Sequence, residues 1–269
     1  MKKLSFFAVA LTAMFFAACG GNKGSQNAEG TDSIKSFEQQ QIEANIKMQF
    51  DSLASELGRL KKLPISMNKE TGVIQLTDKE KQVKPDYLMD ASVADNATTL
   101  AEKYRLVGAL GVDREVAKLY DMPIEDYDKA IGKLAADIND PSFKVIDEAA
   151  NIYETSDVLY KAMDENGRIN FFWQIVATSL IENLYVISQN SDKFLASFDD
   201  EAAANITFRI ILLQDAVIRL CEYDTEFIPV SKAIEPLGVL NAVTVGELKG
   251  QIEEAKEKIA EARNALLQK

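Results

Sequence analysis

From residue 90 onward, nearly every segment of this chain repeats its apolar residues in steps of three and four, with a cap or a breaker at its ends. That step is one α-helical turn, so each segment carries an apolar stripe that only a neighbouring element can bury. The pattern predicts an all-α, multi-helix, bundle-like domain of about seven to nine helices. Asp90 is read as the cap of a helix running to Leu110, with Gly111 as its stop and Asp113 opening a short helix that ends near Tyr120. Pro123 and Asp140-Pro141 mark two further starts, and Gly167 ends the second of these helices. Helices at roughly 169–189 and 199–223 follow, and Pro229, Pro236 and Gly238 break up residues 224–243. The last segment is the cleanest. Val245, Leu248, Ile252, Ala255, Ile259, Ala262 and Leu266 form one stripe behind a Thr244/Glu247 capping box, as expected of one long helix packed inside a bundle. Upstream, residues 33–63 read as a helix closed by Pro64, and 65–89 as the least helical stretch, with a short strand at Val73-Ile74-Gln75-Leu76 as an option.

The first residues follow another rule. Met1-Lys2-Lys3 precedes an apolar run from Leu4 to Ala18, then comes Cys19-Gly20-Gly21-Asn22. Two lysines, a short apolar core and small residues before a cleavage point form a secretory signal. A membrane span needs about 20 apolar residues, more than this run offers. Phe16-Ala17-Ala18-Cys19 resembles the lipobox of bacterial lipoproteins of the Bacteroidota type, with Phe16 where leucine is usual. The resemblance covers only the segment up to Cys19. It implies lipidation of Cys19, and two or more acyl chains hold a protein stably on a membrane. Residues 20–31, rich in Gly, Ser, Asn and Gln, read as a tether. Gly20-Gly21-Asn22-Lys23-Gly24 lacks the acidic cluster that favours surface export in that class, which implies an outer-membrane protein facing the periplasm. The organisation is therefore 1–18 signal peptide, 19–31 lipidated N-terminus and tether, 32–269 helical domain.

Composition narrows the chemistry. Of 30 basic residues, removal of Lys2 and Lys3 leaves 28 against 42 acidic ones, a formal charge of −14. Such a surface repels phosphate backbones, so no nucleic-acid partner is expected. Histidine is absent, which removes the commonest general base and the commonest zinc ligand. If Cys19 carries lipid, Cys221 stands alone and reads as a small buried hydrophobe. No catalytic residue, metal or cofactor is expected.

Two segments invite a functional reading. Asp164-Glu165-Asn166-Gly167-Arg168-Ile169-Asn170 resembles a calcium loop, but the register places Ala162 and Trp173 where the first carboxylate and the bidentate glutamate belong. It reads instead as a polar turn with a glycine stop. In the apolar 169–189 helix, Asn170, Gln174, Thr178 and Glu182 descend one side in steps of four. The seam either lines a ligand pocket or meets polar partners on neighbouring helices, and the second reading is preferred because buried polar groups must be satisfied. The expected function is a non-catalytic envelope component that binds or scaffolds another protein. The alternative is a small-molecule or lipid-binding module that uses the seam.

Overall fold

The 169–189 segment folds as one unbroken helix, and the rest of the body is arranged around it. In this computed structural model the described residues are 76–143, 156–222 and 224–267, with Ala44, Lys47, Met48, Asp51 and Ser52, all within the unit Glu43–Lys269. Their α-helices are α1 (Asp78–Gln82), α2 (Leu100–Leu119), α3 (Glu125–Ile138), α4 (Ser156–Glu165), α5 (Ile169–Gln189), α6 (Ser191–Phe194), α7 (Asp200–Leu220), α8 (Ile228–Ile234), α9 (Val245–Glu254) and α10 (Lys256–Leu267). Eight of them have seven or more residues, and there is no strand among the described residues, so the domain is all-α as expected. Single 3-10 turns occur at Ala91–Asn96, Pro141–Phe143, Thr225–Phe227 and Glu235–Val239. The proposed strand at Val73-Ile74-Gln75-Leu76 lies outside the described residues except for Leu76, and most of the 33–63 helix lies outside them too. Lys47 and Asp51 belong to that stretch, where Lys47 pairs with Asp164 and the Tyr160 hydroxyl donates to Asp51 at 2.9 Å.

α5 is central because it is apolar on nearly every side, and 15 of its 21 residues are buried. Length and composition alone would let it cross a membrane, but 83 % of its most apolar window is buried inside the body. It touches α2, α4, α6, α7, α8, α9 and α10, while α3 packs on the far side of α2. Local signals explain the ends. Thr99 and Glu102 form a capping box for α2, and Thr244 and Glu247 form the expected one for α9. Asp199 caps α7 by accepting from the Ala202 amide at 2.8 Å. Gly167, at φ +65°, ends α4: the Gly167 amide donates to the Asp164 carbonyl at 3.0 Å and the Arg168 amide to that of Met163 at 2.6 Å, the Schellman stop that left-handed glycine permits.

Three boundaries differ from expectation. Asp90 caps only the 3-10 turn Ala91–Asn96. Gly111 is no stop, and Asp113 opens nothing: α2 runs through both, because the packing of α2 on both sides outweighs the modest helix penalty of one glycine. The final stripe is split, since Ala255 leaves helical geometry (ψ 2°) between α9 and α10, yet Leu248, Ile252, Ala255, Ile259, Ala262 and Leu266 all remain buried. Asp140-Pro141 opens the turn Pro141–Phe143, with Asp140 accepting from the Ser142 amide at 2.9 Å.

The tightest crossing in the body is between α2 and α5, and it depends on Gly108. A Cβ there would stand 2.6 Å from the Ile175 carbonyl oxygen, 2.7 Å from Thr178 Oγ1 and 2.9 Å from Ser179 Oγ. The first of these is backbone and cannot swing aside. The missing side chain lets Ser179 donate to the Gly108 carbonyl at 3.1 Å and Thr178 to that of Arg105 at 2.8 Å. Gly111, one turn on, has open space around it. Gly108→Ala should therefore destabilise by about 1–3 kcal/mol through overpacking. Gly111→Ala should stabilise by up to about 1 kcal/mol through helix propensity. Urea midpoints at unchanged m-value measure both, and a Gly108→Ala protein as stable as the parent would refute the crossing.

Candidate functional site

The seam of α5 is best built from its lower end. Glu182 is 0 % exposed, and a carboxylate in that position must have a partner. The partner is Arg263 of α10, whose Nε donates to Oε2 at 2.7 Å and whose Nη2 donates to Oε1 at 2.8 Å, a fork-to-fork pair. The same Nη2 donates to the Tyr87 carbonyl at 3.3 Å, and the guanidinium lies 4.1 Å above the centroid of the Tyr185 ring. Arg263 is itself only 3 % exposed.

A second acid completes the cluster. Asp113 of α2, also 0 % exposed, accepts from the Met89 amide at 2.8 Å through Oδ2 and lies 3.9 Å from Arg263 Nη2. Its other oxygen, Oδ1, is buried and has no donor, and the Glu182 charge acts on this carboxyl. Burial and charge act differently on the two carboxyl groups. Burial raises both. The Arg263 fork opposes that rise at Glu182, whereas the Glu182 charge adds to it at Asp113 and carries Asp113 well above the ordinary carboxyl range. Burial and the Glu182 charge thus favour the neutral form at Asp113. With Asp113 neutral, the cluster balances one cation against one anion in a dry interior.

The rest of the seam meets other partners. Thr178, buried, donates to the Arg105 carbonyl and to its own Gln174 carbonyl at 3.0 Å. Gln174, also buried, accepts from Arg105 Nη1 at 3.2 Å and donates to the Glu226 carbonyl at 3.4 Å. Asn170, partly exposed, donates to Asp224 Oδ2 at 2.9 Å. The four side chains thus share one side of α5 but address three places: the 224–227 turn, α2, and the Glu182–Arg263–Asp113 cluster. Cys19 lies outside the described residues. Cys221, expected to be buried, is half-buried just beyond α7, and burial raises its thiol.

Sequence reasoning found Glu182 but missed Arg263 and Asp113. Both left a trace. Asp113 follows Ala109 and Leu110 by four and three residues and precedes Val116 and Ala117 by the same steps, so it is a charge set into an apolar row. Arg263 lies one residue beyond Ala262 and four beyond Ile259, on the inner edge of the last stripe. A surface groove of about 590 Å³ is lined by residues that include Met89, Asp90, Asp95, Tyr127, Lys129 and Lys133, and none of the four seam residues lines it. Among the described residues no group of three acidic or cysteine side chains converges as a metal site would require.

Removing one member of the pair strands the other. Glu182→Ala should cost about 3–5 kcal/mol, and an Arg263→Met, Glu182→Leu double variant far less than the sum of its single changes. Asp113 supplies a sign-specific test. Its folded pKa lies above its unfolded value near 4, so the native state binds the extra proton and this stabilisation is complete below about pH 4. It declines as pH rises towards the folded pKa. Asp113→Asn mimics the protonated acid, accepting from Met89, and should flatten that decline. Denaturant midpoints of the two proteins against pH measure it. Parallel curves would show that Asp113 is ionised.

Compared with what is known, the chain matches no protein family, no curated protein and no solved structure.

Proposed function

We propose that this chain is a lipid-anchored helical protein of the bacterial cell envelope, held through Cys19 on the outer membrane and facing the periplasm, whose body is a non-catalytic protein-binding or scaffolding module. The anchoring half is supported by the charged start, the short apolar run and Phe16-Ala17-Ala18-Cys19. The other half is carried by one observation: Gln174, Thr178 and Glu182 are all 0 % exposed and already bonded within the body. A ligand using them would first have to break those bonds and bury what it released. Recognition therefore belongs on the outer faces of the helices. The absence of histidine agrees with a body that moves no protons for catalysis.

Cross-linking in cells that express the full chain tests this reading. The expected result is a membrane-fractionated protein with a discrete protein adduct, and Cys19→Ala should lose both the membrane association and the adduct. A chain that stays free of adducts, and whose Tm rises with a low-mass envelope extract only when Glu182 and Gln174 are intact, would replace this function with the small-molecule alternative.

A further inference from the structure

The outer side of α7 carries a second apolar row that the core does not use. In steps of three and four from Glu201 come Ala204, Phe208, Ile211, Asp215, Ile218 and Glu222, a heptad spacing that sets them in one line along the helix. Phe208 is 39 % exposed, Ile211 53 % and Ile218 61 %. The inner side is fully employed, with Ile206, Ile210, Leu213, Val217 and Leu220 buried. A helix at the surface of a soluble body ordinarily turns charged residues outward, and α7 instead turns large apolar ones outward at the spacing of a helix–helix seam.

Neighbouring chain widens the row. Gln214 Nε2 donates to the Ile234 carbonyl at 3.0 Å, Gly238 lies against the Gln214 amide, and Thr207 Oγ1 donates to the Ala242 carbonyl at 2.7 Å. The chain from 234 to 242 therefore runs beside α7, bringing Val239 (47 % exposed) and Val243 (62 % exposed) to the same flank.

Charge decides what covers this face. The row ends in acids, with exposed Asp200 and Glu201 at one end and exposed Glu222 at the other, while Asp215 within it is held by Arg219 at 3.1 Å. A second copy laid antiparallel would set Glu201 against Glu222, and a parallel copy would set each acid against itself, on bodies that each carry a formal charge of −14 without Lys2 and Lys3. A helix with an apolar row and a cation at each end matches both features. We propose that the outer face of α7 docks an amphipathic helix of a partner protein whose apolar row is flanked at both ends by Lys or Arg. This rests on the protein-binding function proposed above and names its surface and the chemistry of its partner.

Two synthetic helical peptides of about 21 residues test it, with identical Leu/Ile heptads and either Lys or Glu at both ends. Fluorescence anisotropy reads their binding to the full lipidated chain in phosphatidylcholine nanodiscs, with empty nanodiscs as the baseline. The Lys peptide should bind and the Glu peptide should not. The Ile211→Asp, Ile218→Asp double variant should weaken the Lys peptide by roughly tenfold or more, because seated apolar anchors are lost. Both positions are exposed, so helicity and Tm should be kept. The substitutions add charge of the sign that attracts a basic peptide, so mere electrostatic adhesion would instead grow stronger. Unchanged or tighter binding to the double variant, equal binding of the Glu peptide, or a dimer dispersed by the double variant would each overturn the proposal. In cells, an adduct that survives the double variant would overturn this surface while leaving the protein-binding function standing. A wild-type chain without any adduct would remove that function itself.

Discussion

The interior is organised around a fork of two hydrogen bonds, Arg263 to Glu182, 81 residues apart in sequence. Taking both charges out of water costs several kcal/mol each, and only close bidentate geometry with every remaining polar atom occupied offsets that. Each further feature of the cluster serves the same end: the Tyr87 carbonyl and the Tyr185 ring occupy the guanidinium, and Asp113 lies 3.9 Å from Nη2. Apolar residues of similar volume could fill the same space with equal stability. What they would not do is penalise misplacement. Sliding α10 by one turn along α5 would part the fork and leave two bare charges in a dry core, so the pair ties the last helix to the central one in a single register.

The same logic runs up the rest of α5. Thr178 and Ser179 bond to carbonyls of α2 where Gly108 lets the two backbones approach, and Gln174 bonds to Arg105. Hydrogen bonds across a helix crossing are directional, whereas leucine contacts are not, so this seam restricts the rotation and height of α2 on α5. Interior polar groups spent on the body's own architecture are not free for a ligand, which is what favours the outer surface in the proposed function. The face of α7 is where apolar residues have been left in the open.

Helical periodicity made the architecture legible. The stretch 169–189 is long, apolar on most sides and free of breakers, and it could bury that surface only at the centre of a bundle. The capping box at Thr244 and Glu247, the Asp199 cap and the Gly167 stop were equally readable, since each depends on residues within one turn of each other. Gly111 shows the limit of that locality: a glycine followed by Asp113 resembles a helix end, yet α2 runs through both because the helix as a whole is packed against α3 and α5. The break at Ala255 is likewise invisible in a stripe that continues unbroken across it.

The candidate seam divides along the same line. Its four residues lie on one side of a single helix, and a spacing of four is enough to say so. From Glu182 alone it also follows that a partner must exist, because an unpaired carboxylate does not survive burial. Which residues answer is a property of three segments brought together from positions 113, 182 and 263, and no local pattern encodes such a meeting. Periodicity, capping and charge are sums over neighbours in the chain, so the sequence by itself determined the helices, the all-α class and the need for a buried Glu182 to be paired or protonated. Partner choice, the raised Asp113 carboxyl and the closeness of α2 to α5 depend on distances between helices, and these exist only once the tertiary structure has formed.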